Sequence, residues 1–183
     1  ADPERALAAA YRPLAVLQTP AGSAVFLAGT SAEVTAQAAA LGGTVVAMEK
    51  FDPVAALDLI GRYSITDSQW VPTMFIRMLK LDAEQRSGFD VSSMRVAIHA
   101  AAPCPVAVKQ QMMDWWGPVL WEYYAGTELN GFCLVRPDEW LARPGTVGRP
   151  LIGSIHILDE AGDDQPANVP GTIYFGDGPA YEY

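Results

Sequence analysis

Residues 95 to 124 read RVAIHAAAPCPVAVKQQMMDWWGPVLWEYY, and the alternation within that stretch decides the fold. Residues 95–101 are almost wholly apolar, as expected of a strand covered on both faces. Residues 105–116 read as a helix behind a proline-stiffened turn, and residues 119–124 as a further strand. Strand, helix, strand with short connections is the pattern of a parallel sheet with helices laid on it.

Working outward, the same texture repeats. Residues 44–48 are a continuous apolar, β-branched run that predicts a strand. Asp52 is a good N-cap, Pro53 stands at the first helical position, and residues 54–61 carry apolar side chains at helical spacing. Residues 64–71 predict a strand and 72–81 a helix with Phe75, Met78 and Leu79 on one side. That makes four strand–helix repeats in under a hundred residues. Further upstream, residues 31–41 are Ala-rich, with Ser31 able to cap a helix and Gly42-Gly43 to end it; 14–18 and 24–27 read as short strands. Past Gly145 the texture changes. Short alternating runs at 154–158 and 172–175 flank an Asp-Glu-Ala-Gly-Asp-Asp turn, predicting an antiparallel hairpin. The fold class expected is α/β: a mostly parallel sheet with flanking helices, followed by a short antiparallel β segment. Residues 1–150 are expected to form the α/β subdomain and 151–183 the start of a β-rich one.

Composition excludes several classes. Half of the 183 residues are hydrophobic and only 18% are charged, so a real core is expected and disorder is not. Twelve basic against 21 acidic residues give a net charge of −9, which repels a nucleic-acid backbone or an anionic membrane. No stretch approaches the apolar length of a membrane span, and the opening Ala1-Asp2-Pro3-Glu4-Arg5 is not the start of a signal peptide. Cys104 and Cys133 are too few for a metal cage or a disulfide framework. A reducing, cytoplasmic setting is expected.

In an open parallel sheet, ligands bind beyond the carboxyl ends of the strands, where the turns are free and helix N-termini point. Two such ends stand out. The strand at 95–101 runs into Ala100-Ala101-Ala102-Pro103-Cys104-Pro105, small side chains on which a flat group could lie directly against the backbone. The strand at 119–124 runs into Ala125-Gly126-Thr127-Glu128. Gly126 gives the turn backbone freedom. Tyr124 offers a face for a purine, the Thr127 hydroxyl can donate to a phosphate oxygen, and the Glu128 carboxylate suits a hard cation such as Mg²⁺. Taken alone, the second segment reads equally as an ordinary turn with a capping hydroxyl, and the first as a tight packing corner. Neighbouring strands would bring the two together.

At this point a resemblance emerges. Tyr124-Ala125-Gly126-Thr127-Glu128 resembles the Tyr-Gly-x-Thr-Glu motif of the adenylate-forming enzymes, the superfamily of acyl-CoA synthetases, luciferases and peptide-synthetase adenylation domains. Its neighbours fall in the family's order: Lys50-Phe51-Asp52-Pro53, Trp70-Val71-Pro72-Thr73-Met74, Ile98 through Pro105, Trp116 through Tyr124, Gly145 through Pro150, and Gly171-Thr172-Ile173-Tyr174-Phe175. The likeness covers roughly residues 42 to 183 and is greatest to bacterial fatty acyl-CoA synthetases. It implies a nucleotide site in which Ala101, Ala102 and Pro103 line one face of adenine and Tyr124 the other. Glu122 would stand near the exocyclic amine, with Tyr123, Ala125 and Gly126 completing the segment. Thr127 would contact the α-phosphate and Glu128 would ligate the Mg²⁺ of ATP, the two being the implied catalytic residues. Trp70, Val71, Pro72, Met74 and His99 would border the acyl pocket. The implied reaction joins a carboxylic (fatty) acid to AMP at the expense of ATP and then to CoA.

Departures from the family pattern shape the expectation. Its phosphate loop with a lysine has no match, since Gly29-Thr30-Ser31 is followed by Ala32-Glu33-Val34, and the later Thr-Gly-Asp segment and the C-terminal domain with its catalytic lysine are not in this sequence. Ala125 replaces the usual glycine. Losing one electrostatic contact to a transition state costs about two to three orders of magnitude in rate, so the chain alone is expected to be inactive, a middle piece of a large N-terminal domain. Alternatives are a non-catalytic nucleotide- or acyl-binding module, or a piece of an aryl-CoA ligase or peptide-synthetase adenylation domain. Self-association through exposed core surface is expected of such a piece. Individual residues keep plainer readings: His99 packs or borders the nucleotide pocket, Trp70 faces the acyl tunnel or the core, Cys104 packs, His156 is structural or on the surface, and the acidic turn at 159–164 is solvated.

Overall fold

The computed structural model describes residues 15–18, 24–27, 43–46, 48, 50–126 and 130–178. The helix predicted at 31–41 lies outside them. Strands β1 (Ala15–Gln18) and β2 (Ala24–Leu27) form an antiparallel pair. Helix α1 (Pro53–Tyr63) begins where its sequence says: the Asp52 carboxylate accepts from the Ala55 N–H at 2.9 Å, and Pro53 occupies the position whose N–H would have no helical partner. Strand β3 (Asp67–Trp70), helix α2 (Pro72–Leu79), a short helix α3 (Ala83–Ser87), strand β4 (Val96–His99), helix α4 (Val106–Trp116) and strand β5 (Leu120–Ala125) follow. Then come strand β6 (Phe132–Val135), helix α5 (Pro137–Ala142) and strand β7 (Arg149–Ile152), and finally the hairpin strands β8 (Ser154–Leu158) and β9 (Thr172–Gly176).

The main sheet has the order β3-β4-β5-β6-β7. Strands β3, β4 and β5 run parallel, joined by crossover helices, while β6 and β7 add antiparallel. The α/β class holds, with an antiparallel extension on the parallel half. The hairpin predicted at 154–175 is present as an antiparallel two-stranded sheet, in register from Ser154 opposite Gly176 to Leu158 opposite Thr172. Gly153, at φ 72°, turns the chain out of β7 and into β8, and a Cβ there would press on the Gly176 carbonyl.

One expectation fails. The described residues of 44–48 carry no strand. A β-branched run reports fitness for a half-buried pleated surface, but a strand also needs a partner edge, and these residues have none among the described strands. Met48 instead packs on the core as a single side chain. The predicted β3 and β4 also come out shorter, because pairing stops where the chain turns toward the next helix.

The core lies on one face of the main sheet. Leu57 and Ile60 of α1, Phe75 and Met78 of α2, Met112 and Trp116 of α4 and Trp140 of α5 meet Ala97, Leu120 and Val135 of the strands there. Side chains alternate across a strand, so the other face receives Ile98, wrapped by Val96, Trp121, Tyr123 and Leu134. Strand β4 is therefore buried on both sides, as its composition predicted, with Ala97, Ile98 and His99 all fully buried. The hairpin is the opposite case: Ile173 and Tyr174 on β9, with nearby Leu151 and Val169, stand exposed.

The Asp52 cap holds one orphan amide of α1. Asp52→Ala is expected to lower stability by about 1 kcal/mol, read as a lower urea midpoint at unchanged denaturant slope.

Candidate functional site

Registry builds the site. In the parallel ladder, Trp70 of β3 stands beside His99 of β4, and His99 beside Glu122 of β5. These three form one row across the sheet. Just past that row, the chain leaves β4 at residues 100–103, while β5 continues through Tyr123, Tyr124 and Ala125 against β6 and ends at Gly126, so the alanine–proline run and the tyrosine segment lie at the same end of the sheet on neighbouring strands, as predicted. Ala100 is buried, whereas Ala101, Ala102 and Pro103 are exposed. Ala101 holds φ 72°. In that left-handed region a side chain meets the backbone at a cost of about 1–2 kcal/mol, so the ledge is a strained segment held in place by the strand and helix on either side of it.

The two tyrosines diverge because neighbouring residues of a strand face opposite sides. Tyr123 stacks on Phe132 with ring centroids 5.2 Å apart, and its hydroxyl accepts from Gln69 Nε2 at 3.4 Å. Burial raises its phenol above the ordinary value. Tyr124 faces the other way, stacks on Phe175 of β9 at 5.8 Å and 29°, and remains 38% exposed. Ala125 pairs with Phe132 of β6, and Gly126 is exposed where the strand ends. Thr127 and Glu128 lie outside the described residues. Among the described residues, no cluster of three or more His, Cys, Asp or Glu is arranged to hold a metal.

Beneath Tyr124 lies a buried polar group of three, Lys109, Glu122 and His99, with the half-buried Cys104 beside it. Lys109 of α4, fully buried, donates to Glu122 Oε2 at 2.7 Å, and its ammonium sits 5.0 Å from the centre of the Trp140 ring. Desolvation lowers the Lys109 pKa, with the Glu122 contact acting against that. His99 Nε2 stands 3.5 Å from the same carboxylate oxygen, without hydrogen-bond alignment, and neither ring nitrogen of this fully buried side chain has a hydrogen-bond partner. Burial first, and the Lys109 charge second, lower the His99 imidazole to about 3. It is neutral at pH 7, so its approach to Glu122 is not an ion pair. Cys104 packs against the core, and its thiol is pushed up to about 11 by burial and then by Glu122, which keeps it protonated.

The residues assigned to an acyl pocket sit further along the row. Trp70 is buried among Phe51, Phe75 and Trp116, with ring centroids 5.6–6.2 Å away, and its Nε1 donates to Ser68 Oγ at 2.6 Å. Val71 precedes α2, Pro72 is its buried first residue and Met74 packs partly buried on the core. His99 meets the Phe75 ring edge-on at 5.5 Å. Outside this region, His156 Nδ1 and Asp164 Oδ1 lie 3.1 Å apart, and Asp159 accepts from the Ala161 and Asp163 N–H groups, so the acidic turn is tied to its own backbone.

Two participants escaped the sequence reading. Lys109 shares the stripe 109, 112, 113, 116 with Met112, Met113 and Trp116, and a lysine on a helix's buried stripe is itself a signal of a buried acidic partner. Phe175 was read only as part of a strand, and no local pattern ties it to Tyr124.

A half-parallel sheet with helices on it, its strand ends carrying a strained small-residue ledge beside an exposed tyrosine, makes this an open-sheet α/β domain. This chain belongs to the AMP-binding enzyme family, whose family model matches residues 25–180. It is 35% identical over 123 residues to a 3-[(3aS,4S,7aS)-7a-methyl-1,5-dioxo-octahydro-1H-inden-4-yl]propanoyl:CoA ligase of Mycobacterium tuberculosis, a match covering 65% of this chain and 24% of that protein. A 4-coumarate-CoA ligase of Narcissus pseudonarcissus is 29% identical over 139 residues, 72% of this chain and 25% of that one. Among solved structures, the amide bond synthetase McbA of Marinactinospora thermotolerans superposes with a TM-score of 0.64 at 30% identity, over 73% of this chain and 28% of McbA. The chain thus spans about a quarter of the length of the curated relatives it matches.

Removing one member of the buried pair leaves the other charge uncompensated. Lys109→Met is expected to cost about 3–5 kcal/mol, and adding Glu122→Leu to it to recover most of that loss, measured by urea unfolding of both variants. His99 gives a pH signature. Its folded pKa lies below the unfolded value near 6.5, so the unfolded chain takes up the proton first and stability falls as pH drops from about 6.5 toward 3. Between pH 7.5 and 4.5, His99→Gln should lose less stability than the parent, by about 3 kcal/mol. Equal losses would remove His99 as the source.

Proposed function

We propose that this chain carries the adenine-binding and part of the acyl-binding surface of an ATP-dependent acyl-CoA ligase of the fatty-acid branch. One observation carries the reading: with His99 beside Glu122, the Ala101-Ala102-Pro103 ledge leaves β4 at the same end of the sheet to which β5 carries Tyr124. On this reading the base lies between the ledge and the Tyr124 ring, with Glu122, Tyr123, Ala125 and Gly126 shaping its surroundings. Thr127 donates to the α-phosphate. Glu128 brings the hard oxygen donor that Mg²⁺ takes, and the ion, when bound, neutralises charge on the phosphates of ATP. The acid's carboxylate oxygen attacks the α-phosphorus, the bond to pyrophosphate breaks and acyl-AMP forms. The CoA thiol, losing its proton, then attacks the acyl carbonyl and AMP leaves. At the start of α2, Val71 and Met74 face the acyl group, while Trp70, His99 and Pro72 are buried and back them from the core.

The fatty-acid assignment rests on Trp121-Glu122-Tyr123-Tyr124 and Cys104-Pro105, residues that resemble that branch. The names of the relatives span an indenyl-propanoyl acid, coumarate and amide-bond synthesis, so the acid and the acceptor are the finer part of the proposal. We place the division between an α/β subdomain, 1–150, and a β-rich one, 151–183, near the turn at Gly153, and self-association on the exposed apolar side chains beyond it.

AMP binding tests the reading. The chain is expected to bind AMP, and Tyr124→Ala to weaken it about tenfold or more, the scale of a base–aromatic stack. A non-reactive fatty acyl-adenylate mimic should bind more tightly than AMP and than its aryl counterpart. ATP–pyrophosphate exchange by the chain alone should stay silent. No AMP binding sinks the nucleotide site, and preference for the aryl mimic moves the chain to the aryl-CoA ligases.

A further inference from the structure

Resting on that reading of the nucleotide site, we infer that Phe175 is a positioning residue: it fixes the Tyr124 ring in the orientation that meets the base. The ring of Phe175 lies over Tyr124 at 5.8 Å and 29°, within the range of an offset stack. It covers one face of a ring that otherwise projects from the end of β5, 38% exposed. Left alone, an aromatic side chain at a strand end samples several rotamers, and a ligand would have to select one.

Phe175 is itself held on three sides. In β9 it pairs with Ile155 of β8, which sets where its side chain leaves the hairpin. Behind it lies Gly131, where a Cβ would overlap Cδ1 and Cγ of the ring, so the bare backbone at 131 is the seat that Phe175 occupies. In front is Tyr124. The next residue, Phe132, backs Tyr123 at 5.2 Å and 14°. Gly131 and Phe132 thus serve the two tyrosines in turn, one by making room for a ring and one by supplying it. The hairpin reaches the nucleotide site through this stack.

A double-mutant cycle separates positioning from general support. In the full chain, AMP affinity is measured by calorimetry for the parent, Phe175→Leu, Tyr124→Ala and the double variant, with Phe175→Tyr as the conservative replacement. Phe175→Leu keeps apolar bulk but removes the stacking face; it should weaken AMP about tenfold, a share of what a base–aromatic stack contributes, and Phe175→Tyr should restore affinity to within about threefold of the parent. On the Tyr124→Ala background, Phe175→Leu should have no further effect, because it acts through that ring. Without ligand, the Tyr124 ring protons should show the upfield NMR shift of a stacked neighbour, lost in Phe175→Leu. Equal AMP binding by parent and Phe175→Leu overturns the inference, as does an equal loss on both backgrounds. Failure of the parent to bind AMP overturns the site's reading and this inference together, whereas the other two outcomes leave that reading standing.

Discussion

A fully buried lysine and a nearly buried glutamate meeting at 2.7 Å set the terms for the rest of the structure. Stripping two charges of water costs several kcal/mol per ion, and only close contact in good geometry repays it. Here the geometry is supplied by a helix and the strand that follows it: Lys109 on α4 reaches down, Glu122 on β5 faces up, and Trp140 of α5 offers the ammonium the face of its ring. Such a pair tolerates little sliding or rotation of α4 over the sheet. Its worth lies in alignment more than in net stability, since an apolar pair of the same volume would fill the space without specifying one register.

Alignment there propagates to the strand ends. With Glu122 facing α4, alternation sends Tyr124 to the same side and Tyr123 to the other. Each then meets a phenylalanine, Phe175 and Phe132 respectively. Beside them, Ala101 is held at a positive φ that an alanine does not adopt freely. The site's shape is therefore set by four constraints of different kinds: one ion pair, two ring stacks and one strained backbone position. Side chains already ordered by such contacts lose little further freedom when a ligand docks.

What could be read from residues alone follows the reach of each signal. Asp52-Pro53 announced α1, because a cap and a fixed φ act within one turn. The apolar run before Ala100 announced a doubly buried strand, and Val96–His99 is that strand. The hairpin strands were legible from alternation. Helix α3 went unread, since its five residues bury nothing and offer no periodicity; only the Asp82–Gln85 capping box marks it. The segment holding β6, α5 and β7 was assigned no element from sequence, although Phe132–Val135 is an apolar run of strand composition. At residues 44–48 a good strand composition met no partner among the described strands. For the site, the ledge and the tyrosines were visible as local clusters, while Lys109 and Phe175 were not, because their partners lie 13 and 51 residues away and only tertiary pairing brings them near.

The antiparallel return from β5 to β6 has one more effect. Tyr124 lies opposite Cys133 and Ala125 opposite Phe132, so both ends of the intervening connection are clamped to a two-residue repeat. A single insertion or deletion between Gly126 and Asn130 would slide β6 by one step and exchange its two sides, turning Phe132 away from Tyr123 and bringing buried Cys133 outward. The ladder thus works as a ruler for the length of chain between Gly126 and Asn130.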